Sequence, residues 1–175
     1  KARLNYAMFF IIVTSFIAIG YITITFFSEQ YNSYLSEKAV IKEKAVVNAL
    51  NFSLSHIASF QWLAVEKVIV PELEKNSFAN NADVNFFDDS GNLVYTSQAP
   101  LFERGIISKK IHPEAFIHLR NSNENQINIS EQIGALSYRC SYYKLQHGTA
   151  LVGFLAFPYF ESSLTADDEI SSFLI

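Results

Sequence analysis

The sequence predicts an α+β domain carried on an N-terminal transmembrane helix that continues as a stalk helix. Three observations predict it. Leu4–Ser28 contains no charged residue, the apolar positions of residues 29–79 recur every three or four, and from residue 83 to 160 the period shortens to two between glycine-bearing turns. The expected order is a cytoplasmic tip and transmembrane helix over 1–28 and an extracytoplasmic domain over 29–169, helical at 29–79 and an antiparallel sheet flanked by helices at 83–160. The start of a second transmembrane helix is expected at 170–175.

The first element follows from length. A hydrocarbon core of about 30 Å needs about 20 apolar residues at about 1.5 Å each, and the 25 residues LNYAMFFIIVTSFIAIGYITITFFS meet that. Lys1 and Arg3 precede the run and Glu29 follows it, which by the positive-inside rule puts the N-terminus in the cytoplasm. Tyr6, Tyr21, Phe26 and Phe27 suit the two interfaces. A cleaved signal peptide is the alternative, but its apolar region is about 7–15 residues long and ends in a small-x-small site, for which Thr25-Phe26-Phe27-Ser28 is a poor match. The last six residues, ISSFLI, turn apolar after Asp167-Asp168-Glu169, as the opening of a second span would; a buried helix end would read the same.

About 145 residues follow the span, enough for one domain with its own core. All 17 acidic residues follow Arg3 but only 11 of the 13 basic ones do, so the exported part carries a formal charge of −6. That excludes nucleic acid and an anionic lipid surface as natural partners. Cys140 is the single cysteine, so no intrachain disulfide supports the domain.

Residues 29–52 read as a stalk helix continuous with the span, with Leu35, Ala39, Val46 and Leu50 on one face and Glu37, Lys38, Lys42, Glu43 and Lys44 mostly on others. Ser53-Leu54-Ser55 is the expected break. A second helix from about His56 to Pro71 or beyond shows its apolar stripe at Ile57, Phe60, Ala64 and Val68, widened by Trp62, Leu63 and Val65. Pro71 either kinks it or opens a new turn at Glu72.

In the sheet region, residues 83–87 and Leu93–Thr96 flank Asp88-Asp89-Ser90-Gly91-Asn92, a hairpin turn. The cluster lacks the alternating ligands and distal Glu of a calcium loop. Residues 100–111 read as irregular connection. His112-Pro113-Glu114 then opens a short helix, followed by a polar loop at 121–125. Two long strands, 133–145 and 150–159, meet at the Gln146-His147-Gly148-Thr149 turn. The first places Leu136, Tyr138, Cys140 and Tyr142 on one face and Ser137, Arg139, Ser141 and Tyr143 on the other. The second, ALVGFLAFPY, is apolar on both faces and should be central, with Pro158 ending its pairing.

Motifs for chemistry are sparse. His56, His112, His118 and His147 form no metal-binding pair; Glu114 and His118 stand four apart on one predicted helix face without a third ligand. No nucleophile elbow, Walker loop or dinucleotide turn occurs. Asn51-Phe52-Ser53 and Asn128-Ile129-Ser130 match the glycosylation pattern, which matters only in a eukaryotic secretory host. The set that stands out is Arg139 with Ser137, Tyr143 and Tyr95: a planar fork of donors and hydroxyls near one strand face that suits an anionic ligand. A wet, ligand-free strand face is the competing reading.

With the span, the stalk, the NFFDDSGNLVYTSQ hairpin and the closing GTALVGFLAFPYF strand in hand, the chain resembles the extracytoplasmic sensor domains of bacterial transmembrane histidine kinases, of PAS-like or Cache type. The shared pattern is a helix-first domain, the Asp88, Asp89 and Gly91 hairpin, the Gly153-Phe154-Leu155 last strand and a return to the membrane. The segment FERGIISKKIHPEAF, with Ile133, Gly134, Ser137 and Tyr138 after it, is also similar to kinases related to nitrogen regulators.

The resemblance implies a PAS-like sheet, a place in the bacterial inner membrane facing the periplasm, no cofactor, and a role in two-component signal transduction. The phosphoacceptor histidine and ATP site would lie past Ile175, so no catalytic residue falls in this chain. It also implies a homodimer, for which Leu35, Ala39, Val46 and Leu50 are the expected stalk seam, and it allows a small-molecule ligand. A chemoreceptor, a cyclic-dinucleotide synthase, or a module that binds an envelope protein would use the same topology.

Overall fold

The computed structural model describes residues 2–56 and 62–159. Lys1, the second-span expectation at 170–175, and Ile57 and Phe60 of the predicted stripe lie outside them. The chain divides into two compact units, one including Lys1–Val40 and the other Ile41–Thr165.

In the first unit the chain is helical as part of α1 (Ala2–Ser55). Its apolar stretch belongs to a helix long and apolar enough to cross a membrane, and none of that stretch is buried by protein. Such a helix must satisfy its polar groups internally. The Thr23 and Thr25 hydroxyls do so, donating to the carbonyls of Ile19 and Tyr21 one turn back at 2.8 and 3.1 Å, and Thr14 donates likewise to Phe10.

In the second unit the C-terminal part of α1 and helix α2 (Trp62–Asn80) share a core with one face of the sheet. α1 ends at Ser55, within the expected break. α2 continues helically through Pro71 and stops where Asn81 takes φ 46°, with Ala82 N–H donating to Ser77 O at 3.0 Å. Its buried residues include Ile69, Leu73 and Ser77, while Val68 of the predicted stripe is only half-buried. On α1 the inward positions are Val46, Leu50 and Leu54, joined by Glu43. Glu43 therefore sits on the buried face, not among the outward charges where its polarity alone would put it.

The sheet is antiparallel and five-stranded, in the order β2-β1-β5-β4-β3. Strands β1 (Asn85–Asp88) and β2 (Leu93–Thr96) form the expected hairpin. Asp88 Oδ1 accepts the N–H groups of Ser90 and Asn92 at 2.9 and 2.7 Å, and Gly91 turns at φ 78°. Helix α3 (Ala99–Glu103) replaces part of the expected irregular connection, started by Pro100 in its first turn. Helix α4 (Pro113–Asn121) starts where His112-Pro113-Glu114 predicts.

Strand β3 (Gln126–Ile133) is a further correction. Ile127, Ile129 and Ile133 alternate as a strand requires, and Gly134 at φ 60° turns the chain into β4 (Leu136–His147), so the expected strand from Ile133 is divided there. Strand β5 (Ala150–Tyr159) is central. Pairing with β4 continues through Pro158, opposite Cys140, to Tyr159. β1 pairs no further along β5 than Ala156, so Pro158 has a neighbour on one side only, where a missing N–H is tolerated.

The pairing sorts the sheet into two faces. One carries Phe86, Tyr143, Leu145, Leu155 and Phe157 toward α1 and α2. The other carries Phe87, Ile129, Tyr138, Cys140, Tyr142, Phe154 and Ala156 toward α4 and Ile111.

Candidate functional site

The second face is only partly filled. Between it and the chain from α3 to the start of α4 lies a cavity of about 290 Å³, within reach of a small metabolite. Most of its wall is apolar. Its charged or titratable lining is Glu131 from β3, Tyr138, Cys140 and Tyr142 from β4, and Lys110 and His112 from the segment before α4.

Strand periodicity builds the Glu131 cluster. Glu131 and Tyr138 are direct cross-strand partners, and Cys140 and Tyr142 follow Tyr138 at intervals of two on the same face. The Tyr138 hydroxyl donates to Glu131 Oε2 at 2.5 Å, and the Tyr142 hydroxyl donates to Oε1. Burial, reinforced by the hydrogen bond to Glu131, pushes the Tyr138 phenol well above its usual range. Burial and then the neighbouring Cys140 and Glu131 do the same to Tyr142. Burial likewise raises the Cys140 thiol, so it stays protonated and is no nucleophile. Both phenols are thus fixed as donors. Glu131 has two neutral donors and, among the described residues, no cationic partner.

On the segment before α4, Lys110 Nζ donates to Asn92 Oδ1, beside the bridge between those two residues. His112 is the residue before α4, and its Nδ1 is buried without a hydrogen-bond partner. Asn85, also in the wall, accepts from Thr96 Oγ1 at 2.7 Å. The cavity therefore places a carboxylate, an ammonium group and an imidazole in a partly open, mostly apolar wall, groups that can hydrogen-bond a small polar molecule. It holds no activated nucleophile. Among the described residues no three metal-ligating side chains come together, and His118 faces Glu124 at 3.5 Å rather than Glu114.

Arg139, Ser137, Tyr143 and Tyr95, singled out from the sequence, lie on the opposite, helix-covered side of the sheet, and none of them lines the cavity. Two of them have other partners there. The Arg139 guanidinium stands 5.7 Å from the Tyr159 ring centre, and the Tyr143 hydroxyl donates to Glu43 Oε2 at 2.6 Å. Ser137 is exposed, and Tyr95 packs at the β2 end of the core. Of the stalk residues, Leu35 is exposed whereas Ala39, Val46 and Leu50 are buried, the last two in the core under the sheet. Sequence reasoning missed Glu131. Its signal is phase: it falls on the apolar alternation Ile127, Ile129, Ile133.

No protein-family model matches the chain, and no curated protein matches it at a significant level. Among solved structures, it is similar to the sensor domain of the V. cholerae histidine kinase DctB, at TM-score 0.48 and 18% identity over 78% of this chain and 52% of that one. An extracellular ligand-binding receptor from Desulfohalobium retbaense DSM5692 gives TM-score 0.47 and 16% identity over 78% of this chain and 27% of that one. The sensory domain of the Campylobacter jejuni chemoreceptor Tlp3 (CcmL), solved with isoleucine bound, gives 0.46 and 12% over 79% and 64%. The chain spans less than two thirds of the length of each.

Proposed function

We propose that this chain is the extracytoplasmic sensing part of a two-component histidine kinase of the bacterial inner membrane, and that a small polar ligand in the cavity beside Glu131 is its signal. The observation that carries the reading is the Glu131 carboxylate, held by two buried tyrosines, left without a cation among the described residues and set in the wall of a partly open, mostly apolar pocket. A carboxylate so placed favours a ligand with a cationic group, and Lys110 and His112 offer contacts for an anionic one on the same molecule. The apolar, internally satisfied helix supplies the anchor. The alternative of a module that binds an envelope protein through a large apolar patch has less support, because the sheet offers a cavity instead.

Pairing of two stalks remains part of the proposal, with a changed seam. Val46 and Leu50 are taken up by the domain's own core, so the residues left for a partner are Tyr34, Leu35 and Ile41, all exposed. The test combines a reporter at Asn121 with the coding sequence that follows Ile175. Activity outside the cytoplasm and a phosphoacceptor-histidine box are expected. A reporter active only in the cytoplasm overturns the anchored sensor, and a chemoreceptor signalling helix or cyclic-dinucleotide synthase domain replaces the kinase output.

A further inference from the structure

The most deeply buried charged side chain in the described residues is not in the cavity. Glu43, on α1, is 0% exposed. Its Oε2 accepts the Tyr143 hydroxyl at 2.6 Å across 100 residues of chain, and its Oε1 is buried with no hydrogen-bond partner among the described residues. The Tyr143 ring packs edge-on against Phe157, with centres 5.6 Å apart, which fixes where its hydroxyl points. Burial and then the charge of Glu43 also hold the Tyr159 phenol above its usual range. One phenol, from β4, is bonded to the carboxylate, and a second, from β5, feels its charge.

We propose that Glu43 is a register lock: it fixes the axial and rotational position of the 41–55 part of α1 against the sheet in one setting, and it holds that setting below the stability an apolar side chain would give. The first half follows from helix geometry. One residue of translation moves a side chain by about 1.5 Å along the axis and one residue of rotation by about 100°, either of which takes a carboxylate out of hydrogen-bond range of a fixed hydroxyl. No neighbouring residue can replace it. Lys42 and Lys44 have no acceptor, and Lys42 is already engaged with the Asn81 carbonyl at 3.0 Å. Ala39, Val40, Val46 and Val47, one turn away in either direction, are apolar.

The second half follows from Oε1. A network serving stability alone would satisfy both oxygens or dispense with the charge, since replacing a buried ion by a well-packed apolar group is often stabilising. A lock with one oxygen unsatisfied is one that a competing force on α1 can release. This inference does not depend on the ligand reading, because it concerns the other face of the sheet.

The experiment places spin labels at Asn51 and Gln146, both exposed, in the full chain in lipid nanodiscs with Cys140→Ala, and measures the label-to-label distance distribution together with Tm. Glu43→Gln keeps an acceptor and should keep a narrow distribution. Glu43→Met should raise Tm by several degrees and broaden or shift the distribution. Tyr143→Phe, which keeps the ring on Phe157, should also broaden it. A Glu43→Met chain less stable than the original, or unfolded, overturns the proposal. Unchanged distributions in both Glu43→Met and Tyr143→Phe overturn it equally.

Discussion

Gly153 on β5 lies so close to Phe87 on β1 that a β-carbon at position 153 would stand 2.2 Å from the Phe87 carbonyl oxygen and 2.8 Å from Cε2 of Phe86. The two central strands can approach only because residue 153 has no side chain. Gly153→Ala should destabilise the domain by about 3 kcal/mol, the scale of overpacking a well-packed site. Denaturant unfolding of the full chain measures it; a loss under about 0.5 kcal/mol, the scale of a neutral surface change, would show that the strands give way freely.

The stalk makes a pair of opposite predictions. Val46 is fully buried, so Val46→Asp puts an unpaired charge into the core and should cost several kcal/mol or unfold the domain. Asn51→Asp, at an exposed position of α1 outside the proposed seam, should stay within about 0.5 kcal/mol of the original. Thermal unfolding of both variants checks this. Cysteine cross-linking in membranes should favour positions 34, 35 and 41 over 46 and 50.

Four phenols set the alkaline limit. Tyr138, Tyr142, Tyr143 and Tyr159 are all raised in the folded state, by burial first and then by neighbouring groups, among them Glu131 or Glu43. A raised phenol means that the folded state keeps a proton the unfolded chain loses, so the stabilisation is present in full below about pH 10 and falls as pH rises beyond it. In an absorbance titration these four should ionise only together with unfolding. Smooth titration of all tyrosines while the fold persists would contradict the burial.

Much of this architecture is legible in the sequence, because period and punctuation carry it: the uncharged run Leu4–Ser28 within the first helix, the Asp88–Asn92 turn, the Pro113 helix start and the doubly apolar β5. Two features that were not legible share one physical cause. Glu43 and Glu131 are carboxylates in apolar phase, Glu43 between Ala39 and Val46 on a helix and Glu131 between Ile129 and Ile133 on a strand. Polarity assigns them to the surface and phase assigns them to the interior, and phase decides. Arg139 stands on the strand face turned to the helices and does not line the cavity beside Glu131. The brief α3 was hidden because a single turn of helix leaves no periodic signal.

The central claim, that the cavity beside Glu131 takes a charged small molecule, is tested most directly by thermal unfolding of the full chain in nanodiscs against a panel of amines, amino acids and carboxylates, run in parallel on Glu131→Gln. The account predicts a stabilising hit that bears a cationic group and binds Glu131→Gln at least about 10-fold more weakly, the loss expected for a hydrogen bond to a charged group. A panel without any hit, or a hit that binds Glu131→Gln equally well, would contradict it.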